Sequence, residues 1–94
     1  MNEPVIGVLS RPAVARGFRL QWEAAQNAHV LLYPEGMIKL NTSAGEILKR
    51  CDGATTIADI TADLERAFAA ANLSEDVIRF INIAVEKRWL KIPS

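Results

Sequence analysis

The sequence contains a single histidine, His29, and a single cysteine, Cys51, and its 11 basic side chains are balanced by 11 acidic ones. One cysteine cannot form an internal disulfide, and one histidine with one cysteine cannot complete a metal-ligand set without scattered carboxylates. A formal net charge of zero also removes the attraction that supplies most non-specific affinity for nucleic acids. We therefore expect no metal site, no internal disulfide and no general nucleic-acid surface.

Long apolar segments and catalytic motifs are also missing. No stretch approaches the ~18 apolar residues that cross a bilayer, and the first residues do not resemble a signal peptide. No serine lies in a nucleophile elbow, and no glycine-rich phosphate loop follows a predicted strand. Asp59 and Asp63 share one face of a predicted helix, but Glu65 and Arg66 beside them are typical of a solvated surface. The sequence thus predicts a cytoplasmic protein that is not an enzyme and has no cofactor.

The sequence does contain enough apolar material for one small core. Hydrophobic residues make up 50% of its 94 residues, and a chain of this length forms one domain that buries a little over ~60% of its unfolded surface. Residues 1–17 have no sustained hydrophobic period and include Pro4, Gly7, Pro12 and Gly17. We expect an extended N-terminal arm over residues 1–17 and a single domain over residues 18–94.

Three segments have the pattern of strands. Phe18–Glu23 alternates apolar and polar residues, which is typical of a half-buried strand. His29–Tyr33 is rich in Val and Leu, and Pro34-Glu35-Gly36 supplies the φ values of a tight turn into Met37–Leu40. Consecutive strands joined by loops this short predict a three-stranded antiparallel meander.

Capping patterns then predict the first two helices. Ser43 and Glu46 form a capping box, which places the first helix between Ala44 and Cys51. Thr56 is the predicted cap of the second helix, and Asn72 is a left-handed stop after it. Spacings of three and four residues predict that the buried stripe of the second helix consists of Ile57, Ile60, Leu64 and Phe68.

The third helix has more apolar surface than one core requires. Ser74 is its predicted cap, and on a helical wheel the apolar residues between Val77 and Val85 cover more than half of the circle. A surface helix needs an apolar stripe of only about 100° or a little more. The excess predicts that a second partner covers part of this helix.

A peptide strand is one candidate for that partner. A three-stranded meander leaves Met37–Leu40 at an edge of the sheet, where unpaired main-chain groups can accept another strand. If the third helix lies beside this edge, Ile78, Ile81 and Val85 form one wall of a peptide groove. Alternatively, the terminal segment Trp89–Ile92 or a second subunit covers the helix.

An ordered set of short motifs runs from Arg11 to Ile92. It consists of Arg11-Pro12, Arg16-Gly17-Phe18-Arg19-Leu20, Val30-Leu31-Leu32-Tyr33-Pro34-Glu35, Lys39-Leu40-Asn41 with Ala44 and Ile47-Leu48, and Cys51-Asp52-Gly53 with Thr56-Ile57 and Ile60. Together these motifs resemble the PqqD family, the small peptide chaperones of pyrroloquinoline quinone (PQQ) biosynthesis. The resemblance covers nearly the whole chain, and the ordered set is much more specific than any single motif.

The resemblance implies a fold and a function. The fold is α+β and winged-helix-like, a three-stranded antiparallel β-meander followed by three α-helices. It is called a recognition element for ribosomally synthesized and post-translationally modified peptides (RiPPs). The function is to bind the precursor peptide PqqA as an added strand between the third strand and the third helix. The chaperone then presents PqqA to the radical SAM enzyme PqqE, which joins a glutamate and a tyrosine of that peptide.

Carried over by position, the resemblance also implies site residues. The peptide-binding residues would be Met37, Ile38, Lys39 and Leu40 on the strand and Ile78, Ile81, Asn82 and Val85 on the helix. Arg11 and Arg16 are candidates for contact with PqqE, because the motif includes them although a peptide groove does not need them. Arg88-Trp89 departs from the family, since related sequences often have a glycine there.

Two other functions stay open on the residues alone. Three helices with a small sheet are compatible with a winged-helix DNA-binding domain, although the third helix lacks the basic stripe that DNA requires. An oligomeric role is the second alternative, because an extended arm and an apolar edge favour exchange of arms or strands between subunits. The second alternative predicts a homodimer in crystals.

Overall fold

The computed structural model describes residues 6–93, which form five strands and three helices. The strands are β1 (Ala13–Val14), β2 (Arg19–Glu23), β3 (Ala28–Tyr33), β4 (Gly36–Lys39) and β5 (Leu90–Lys91); the helices are α1 (Thr42–Lys49), α2 (Ile57–Ala67) and α3 (Ser74–Glu86). β2, β3 and β4 form an antiparallel meander, and β1 pairs with β5 in a separate two-stranded sheet. The predicted α+β class, with a three-stranded meander before three helices, is confirmed.

The meander places one apolar face against the helices. Leu20 of β2 is opposite Leu31 of β3, which is in turn opposite Ile38 of β4. Because cross-strand partners share a face of the sheet, these three side chains point to the same side, where Leu31 is fully buried. The β2–β3 connection is a short 3-10 helix, Ala24–Gln26, followed by Asn27, whose φ of 51° lies in the left-handed region that asparagine tolerates.

Helix α1 begins earlier than its predicted start at Ala44. The side-chain oxygen of Asn41 accepts the N–H of Ala44 at 2.8 Å, so Asn41 is the cap and the capping box of Ser43 and Glu46 is wrong. Asparagine caps a helix as well as serine does, and Asn41 has the extended backbone that a cap requires. A Cβ atom on Gly45 would lie 2.8 Å from His29 Nδ1, so glycine is required where α1 rests on β3.

Thr56 caps α2 as predicted, since its hydroxyl accepts the N–H of Asp59 at 3.1 Å. Two further amides at this end are satisfied by the N-terminal arm, because Ile57 N–H donates to the carbonyl of Ser10 and Ala58 N–H to that of Val8, each at 2.9 Å. The arm therefore completes the cap of α2.

The ends of α2 and α3 differ from the prediction. Helix α2 ends at Ala67, so Phe68 lies beyond the buried stripe and is 52% exposed, contrary to the prediction. Ser74 is the first residue of α3 and makes no capping bond. The carboxylate of Glu65 accepts the N–H of Leu73 at 3.0 Å, which satisfies one main-chain group at this junction. Asn72 adopts the predicted left-handed conformation, with a φ of 61°.

Part of the predicted arm is joined to the C-terminal end of the chain. Ala13 and Val14 pair with Lys91 and Leu90, and Leu90 is 2% exposed. The terminal segment thus returns to the core as β5. The first five residues of the predicted arm and Ser94 lie outside the described residues, and the division at residue 17 stays a prediction.

The main core is formed by the inner face of the meander and the buried sides of the three helices. Its buried members are Leu31, Leu40, Ala44, Ile47, Leu48, Cys51, Ile57, Ile60, Leu64, Val77, Ile81, Ala84 and Leu90. Every helix contributes at least two of them, so each helix is held by burial of one apolar side.

A left-handed residue follows the C-terminal end of helix α3. Trp89 N–H donates to the carbonyl of Ala84 at 2.9 Å, and Arg88 between them has a φ of 67°. This backbone is favourable for glycine and costs other residues roughly 1 kcal/mol or more. A glycine at residue 88 would adopt this conformation without strain.

The substitution Arg88→Gly should therefore stabilise the protein by about 1 kcal/mol, because glycine adopts a positive φ without strain. Urea unfolding followed by circular dichroism measures the change. Lys87→Gly is the matched control, since Lys87 is right-handed with a φ of −79° and should lose about 0.5 to 1 kcal/mol. Equal effects of the two substitutions on stability would contradict a left-handed backbone at Arg88.

Candidate functional site

Strand β4 presents unpaired main-chain groups along its outer edge. The N–H of Leu40, just after β4, donates to the carbonyl of His29 at 3.0 Å. Hydrogen-bonded pairs alternate in an antiparallel ladder, so the main-chain N–H and C=O of Ile38 also point toward β3. The main-chain groups of Met37 and Lys39 point away from β3. Within the described residues, no strand pairs with that outer side. Two N–H and two C=O groups, one of each per residue, are thus free to pair with another strand.

The side chains of this segment divide between two faces. Met37 is 49% exposed and Lys39 is exposed, whereas Ile38 packs partly against the core. Leu40 is 5% exposed, and its N–H is already bonded to β3. The structure therefore corrects the prediction for Leu40, which is a core residue and not part of the open edge.

The predicted helix wall also separates into core and surface positions. Ile81 is fully buried between Val77 and Ala84 on the core side of α3, so the prediction that its side chain lines a groove is wrong. Ile78, Asn82 and Val85 recur at steps of four and three residues and lie beside this core side. Ile78 and Val85 are half-buried, and exposed Asn82 donates from its side chain to the carbonyl of Ile78 at 3.1 Å.

The two predicted walls do not pack closely against each other. Helix α3 packs mainly on α2 and β5, and β4 packs mainly on β3. The structure therefore brings Met37, Ile38 and Lys39 together on one element and Ile78, Asn82 and Val85 on another. A strand bound between the two elements stays a prediction.

Two clefts adjoin the junction between β4 and α1. The first, which we name the helix-end cleft, has a volume of about 290 Å³ and is lined by Thr42, Ser43, Glu46, Ile47, Leu64, Phe68, Ala70, Leu73, Asp76 and Val77. The second, of about 420 Å³, includes Trp22, His29 and Lys39. The Trp22 and His29 rings meet edge to face with centroids 5.0 Å apart, and Trp22 is 51% exposed. Neither cleft was predicted, because residues from several segments form each wall.

An ion-pair network holds α1 against α2 beside the helix-end cleft. The guanidinium of Arg50 donates to Glu46 at 2.8 Å and to Asp63 at 2.5 Å. The hydrogen bond from Arg50 lowers the pKa of Glu46 and also that of Asp63. The arginine thus keeps both carboxylates ionised and links two helices.

The surroundings of Cys51 give it a structural role. Burial raises the pKa of Cys51 to about 12, and its thiol donates to the carbonyl of Ile47. Because only the thiolate is a strong nucleophile, Cys51 is inert at neutral pH. Residues 6–93 hold no group of three His, Cys, Asp or Glu side chains that could bind a metal ion.

None of the helices formed by the described residues is long and apolar enough to cross a membrane.

The two arginines predicted to contact an enzyme lie on the arm. Arg11 is exposed and donates from Nε to the carbonyl of Ala54 at 3.1 Å. Arg16 is exposed in the turn before Gly17, whose φ of 93° requires glycine. Both side chains are at the surface, and their contact with an enzyme stays a prediction.

Comparison with known proteins identifies the family. The family model described as "Coenzyme PQQ synthesis protein D (PqqD)" matches residues 28–90, which include β3, β4 and all three helices. The chain belongs to the PqqD family. The predicted family resemblance is therefore confirmed.

Proteins named "PqqA binding protein" are close relatives of this PqqD-family chain. The protein from Stutzerimonas stutzeri is 51% identical over 82 residues, which cover 86% of this chain and 89% of the relative. The protein from Pseudomonas aeruginosa PAO1 is 49% identical over 84 residues, which cover 88% of this chain and 91% of the relative. These alignments extend the similarity beyond the residues that the family model matches.

A solved structure has the same fold. It is the solution NMR structure of the PqqD truncation of Methylobacterium extorquens PqqCD, described as a functional and stand-alone RiPP recognition element. The TM-score is 0.77 at 29% identity, and the alignment covers 93% of this chain and 95% of the other. The PqqD fold of this chain is therefore the fold of a known recognition element.

The Arg50 network predicts how stability depends on pH. Glu46 and Asp63 have lowered pKa values when folded, so the stability they contribute is present above their ordinary pKa values, near 4. That stability is lost as the pH falls through the lowered values. Urea midpoints measured from pH 6 to pH 3 should therefore fall less steeply for Arg50→Met than for the parent protein.

Arg66→Met is the control for this experiment, because Arg66 contacts Asp63 at 3.3 Å but is 73% exposed. Its midpoint should follow the pH dependence of the parent protein closely, since exposed ion pairs contribute little. If Arg50→Met and the parent protein lose stability in parallel, the network does not control these two carboxylates.

Proposed function

We propose that this chain is a non-catalytic chaperone that binds the precursor peptide PqqA as a strand added to β4. The observation that supports this most strongly is the free outer edge of β4 at Met37 and Lys39 in a PqqD-family protein. Relatives with about half of their residues identical are named PqqA binding proteins. A PqqA strand would convert a three-stranded sheet into a four-stranded one.

Main-chain pairing would supply most of the affinity in this mode. An added strand bonds to every second residue of the edge, and the side chains between those bonds contact neighbouring surfaces. Exposed Met37 and the half-buried pair Ile78 and Val85 offer apolar surface for such contacts. We expect a dissociation constant in the micromolar range, which corresponds to a binding free energy of about −8 kcal/mol. Tighter binding would hinder the later release of the peptide.

The charge distribution supports a peptide over DNA. Helix α3 contains one basic residue, Arg79, whose guanidinium already contacts Asp76 and Glu75. DNA recognition requires basic side chains that are free to reach phosphates. The charges of α3 therefore give the DNA-binding alternative no support.

Presentation of PqqA to the radical SAM enzyme PqqE is the second part of the proposal. A peptide held along β4 would leave the arm, with Arg11 and Arg16, free to contact an enzyme. Dimerisation by exchange of arms or strands is the competing use of these surfaces. Light scattering of the free protein across a dilution series separates the two, because a dimer that persists when dilute would occupy its own edge.

The substitution Lys39→Pro should weaken binding of a synthetic PqqA peptide about tenfold or more. Proline removes the outward N–H of residue 39, and a main-chain hydrogen bond left unmade costs about 1 to 3 kcal/mol. The fold should survive, because proline is tolerated where a strand N–H faces outward at an edge. Calorimetric titration measures the affinity, with a scrambled peptide as the negative control.

Lys39→Ala is the matched variant, since it removes the side chain but keeps the N–H, and it should bind PqqA nearly as well as the parent protein. The same pair tests presentation, because Lys39→Pro alone should slow modification of dilute PqqA by PqqE. If the parent protein fails to bind PqqA, the proposed function is wrong. If both variants bind like the parent protein, the peptide does not pair with β4.

A further inference from the structure

The helix-end cleft is bordered by an exposed apolar loop. Residues 67–71, which begin at the last residue of α2 and continue into the loop before α3, are Ala-Phe-Ala-Ala-Ala, and all five are exposed. Soluble domains avoid runs of exposed apolar residues unless the surface has a function. Phe68 and Ala70 of this loop line the cleft, and Phe68 is 52% exposed. This loop therefore keeps apolar surface available at the mouth of the cleft.

The interior of the cleft is apolar. Ile47, Leu64 and Val77 form part of its walls, and their exposures are only 7%, 4% and 2% because they belong to the core. A volume of about 290 Å³ is close to the lower limit of small-molecule sites. The cleft is thus large enough for one leucine-sized or aromatic side chain and too small for a folded segment.

The charged residues that line the cleft are both acidic. Its lining includes the carboxylates of Glu46 and Asp76 and no basic side chain. Arg50 and Arg79 bind these carboxylates from outside the lining. Because each carboxylate is already paired with an arginine, the apolar walls of the cleft select its occupant more than charge does.

The cleft also lies close to the Lys39 end of β4 along the chain. Thr42 and Ser43, which line it, follow Lys39 by three and four residues. Three residues of extended chain span at most about 10 Å. A peptide paired with β4 therefore needs only a few residues beyond the Lys39 end of the strand to reach the cleft.

We propose that the helix-end cleft receives one apolar side chain of the bound precursor peptide, at a position just beyond the Lys39 end of the added strand. The side chain is leucine-sized or aromatic. This inference rests on the proposed binding of PqqA along β4. It adds a second contact, which fixes the register of a strand that main-chain bonds alone would leave free to slide.

Two tryptophan substitutions in one loop test this proposal. Ala70→Trp should fill the cleft and weaken binding of the synthetic PqqA peptide about tenfold or more, as measured by calorimetric titration. Ala71→Trp is the matched control, because Ala71 is exposed in the same loop but does not line the cleft. The control should bind within about twofold of the parent protein, since surface substitutions away from a site have small effects.

An alanine scan of the peptide identifies the occupant. Alanine at one apolar position of the peptide should lower the affinity for the parent protein. The same alanine peptide should bind Ala70→Trp only slightly more weakly than the unaltered peptide does, since interacting residues have non-additive effects. That position should lie at one end of the segment that pairs with β4. Equal affinity of Ala70→Trp and Ala71→Trp, or additive effects at every peptide position, would overturn the proposal.

The outcomes separate this inference from the proposed function. If the parent protein binds PqqA and Lys39→Pro does not, but Ala70→Trp binds normally, strand addition stands and the cleft is not used. Circular dichroism checks that both tryptophan variants are folded. Should Ala70→Trp fail to fold, methyl NMR of the parent protein decides, because a bound side chain must shift the methyl resonances of Ala70 and Val77 whereas an empty cleft leaves them unchanged.

Discussion

The open edge of the sheet and the start of the first helix both depend on how Leu40 is held, with its N–H bonded to the carbonyl of His29. This hydrogen bond sets the alternation of the β3–β4 ladder, so that Met37 and Lys39 face outward with their main-chain groups unpaired. Burial of the Leu40 side chain holds the end of β4 against the core, and Asn41 begins the cap of α1 at once. One residue thus fixes the open edge of the sheet and the start of the first helix.

The elements were predictable where a local pattern acts alone. Alternation predicted β2, a run rich in Val and Leu predicted β3, and the Thr56 hydroxyl caps α2 as expected. The start of α1 was not predictable, since Asn41 and Ser43 are both good capping residues and nearby contacts select between them. The contact of Gly45 with His29 in β3 is between residues distant in sequence, so no local pattern contains it.

Each predicted wall of the peptide site contains one core residue, Leu40 after β4 and Ile81 on α3, and the role of the other predicted site residues stays a prediction. The residues of a strand alternate between only two orientations. Once β3 and β4 pair, the register therefore determines that Met37 and Lys39 have the same orientation. A helical wheel shows an apolar arc but not its centre, which is why Ile81 was assigned to a groove although it is fully buried. The helix-end cleft was missed because α1, the α2–α3 loop and α3 each contribute apolar residues that resemble core positions in sequence.

Strand addition to β4 is the central claim, and backbone methylation of the peptide tests it most directly. A set of PqqA peptides, each methylated at one amide nitrogen, would be titrated against the parent protein. Because alternate amides of an added strand face β4, affinity should fall at every second position of the paired segment and stay near the parent value between them. Sensitivity at helical spacing, or no sensitivity in any part of a peptide that still binds, would contradict strand addition.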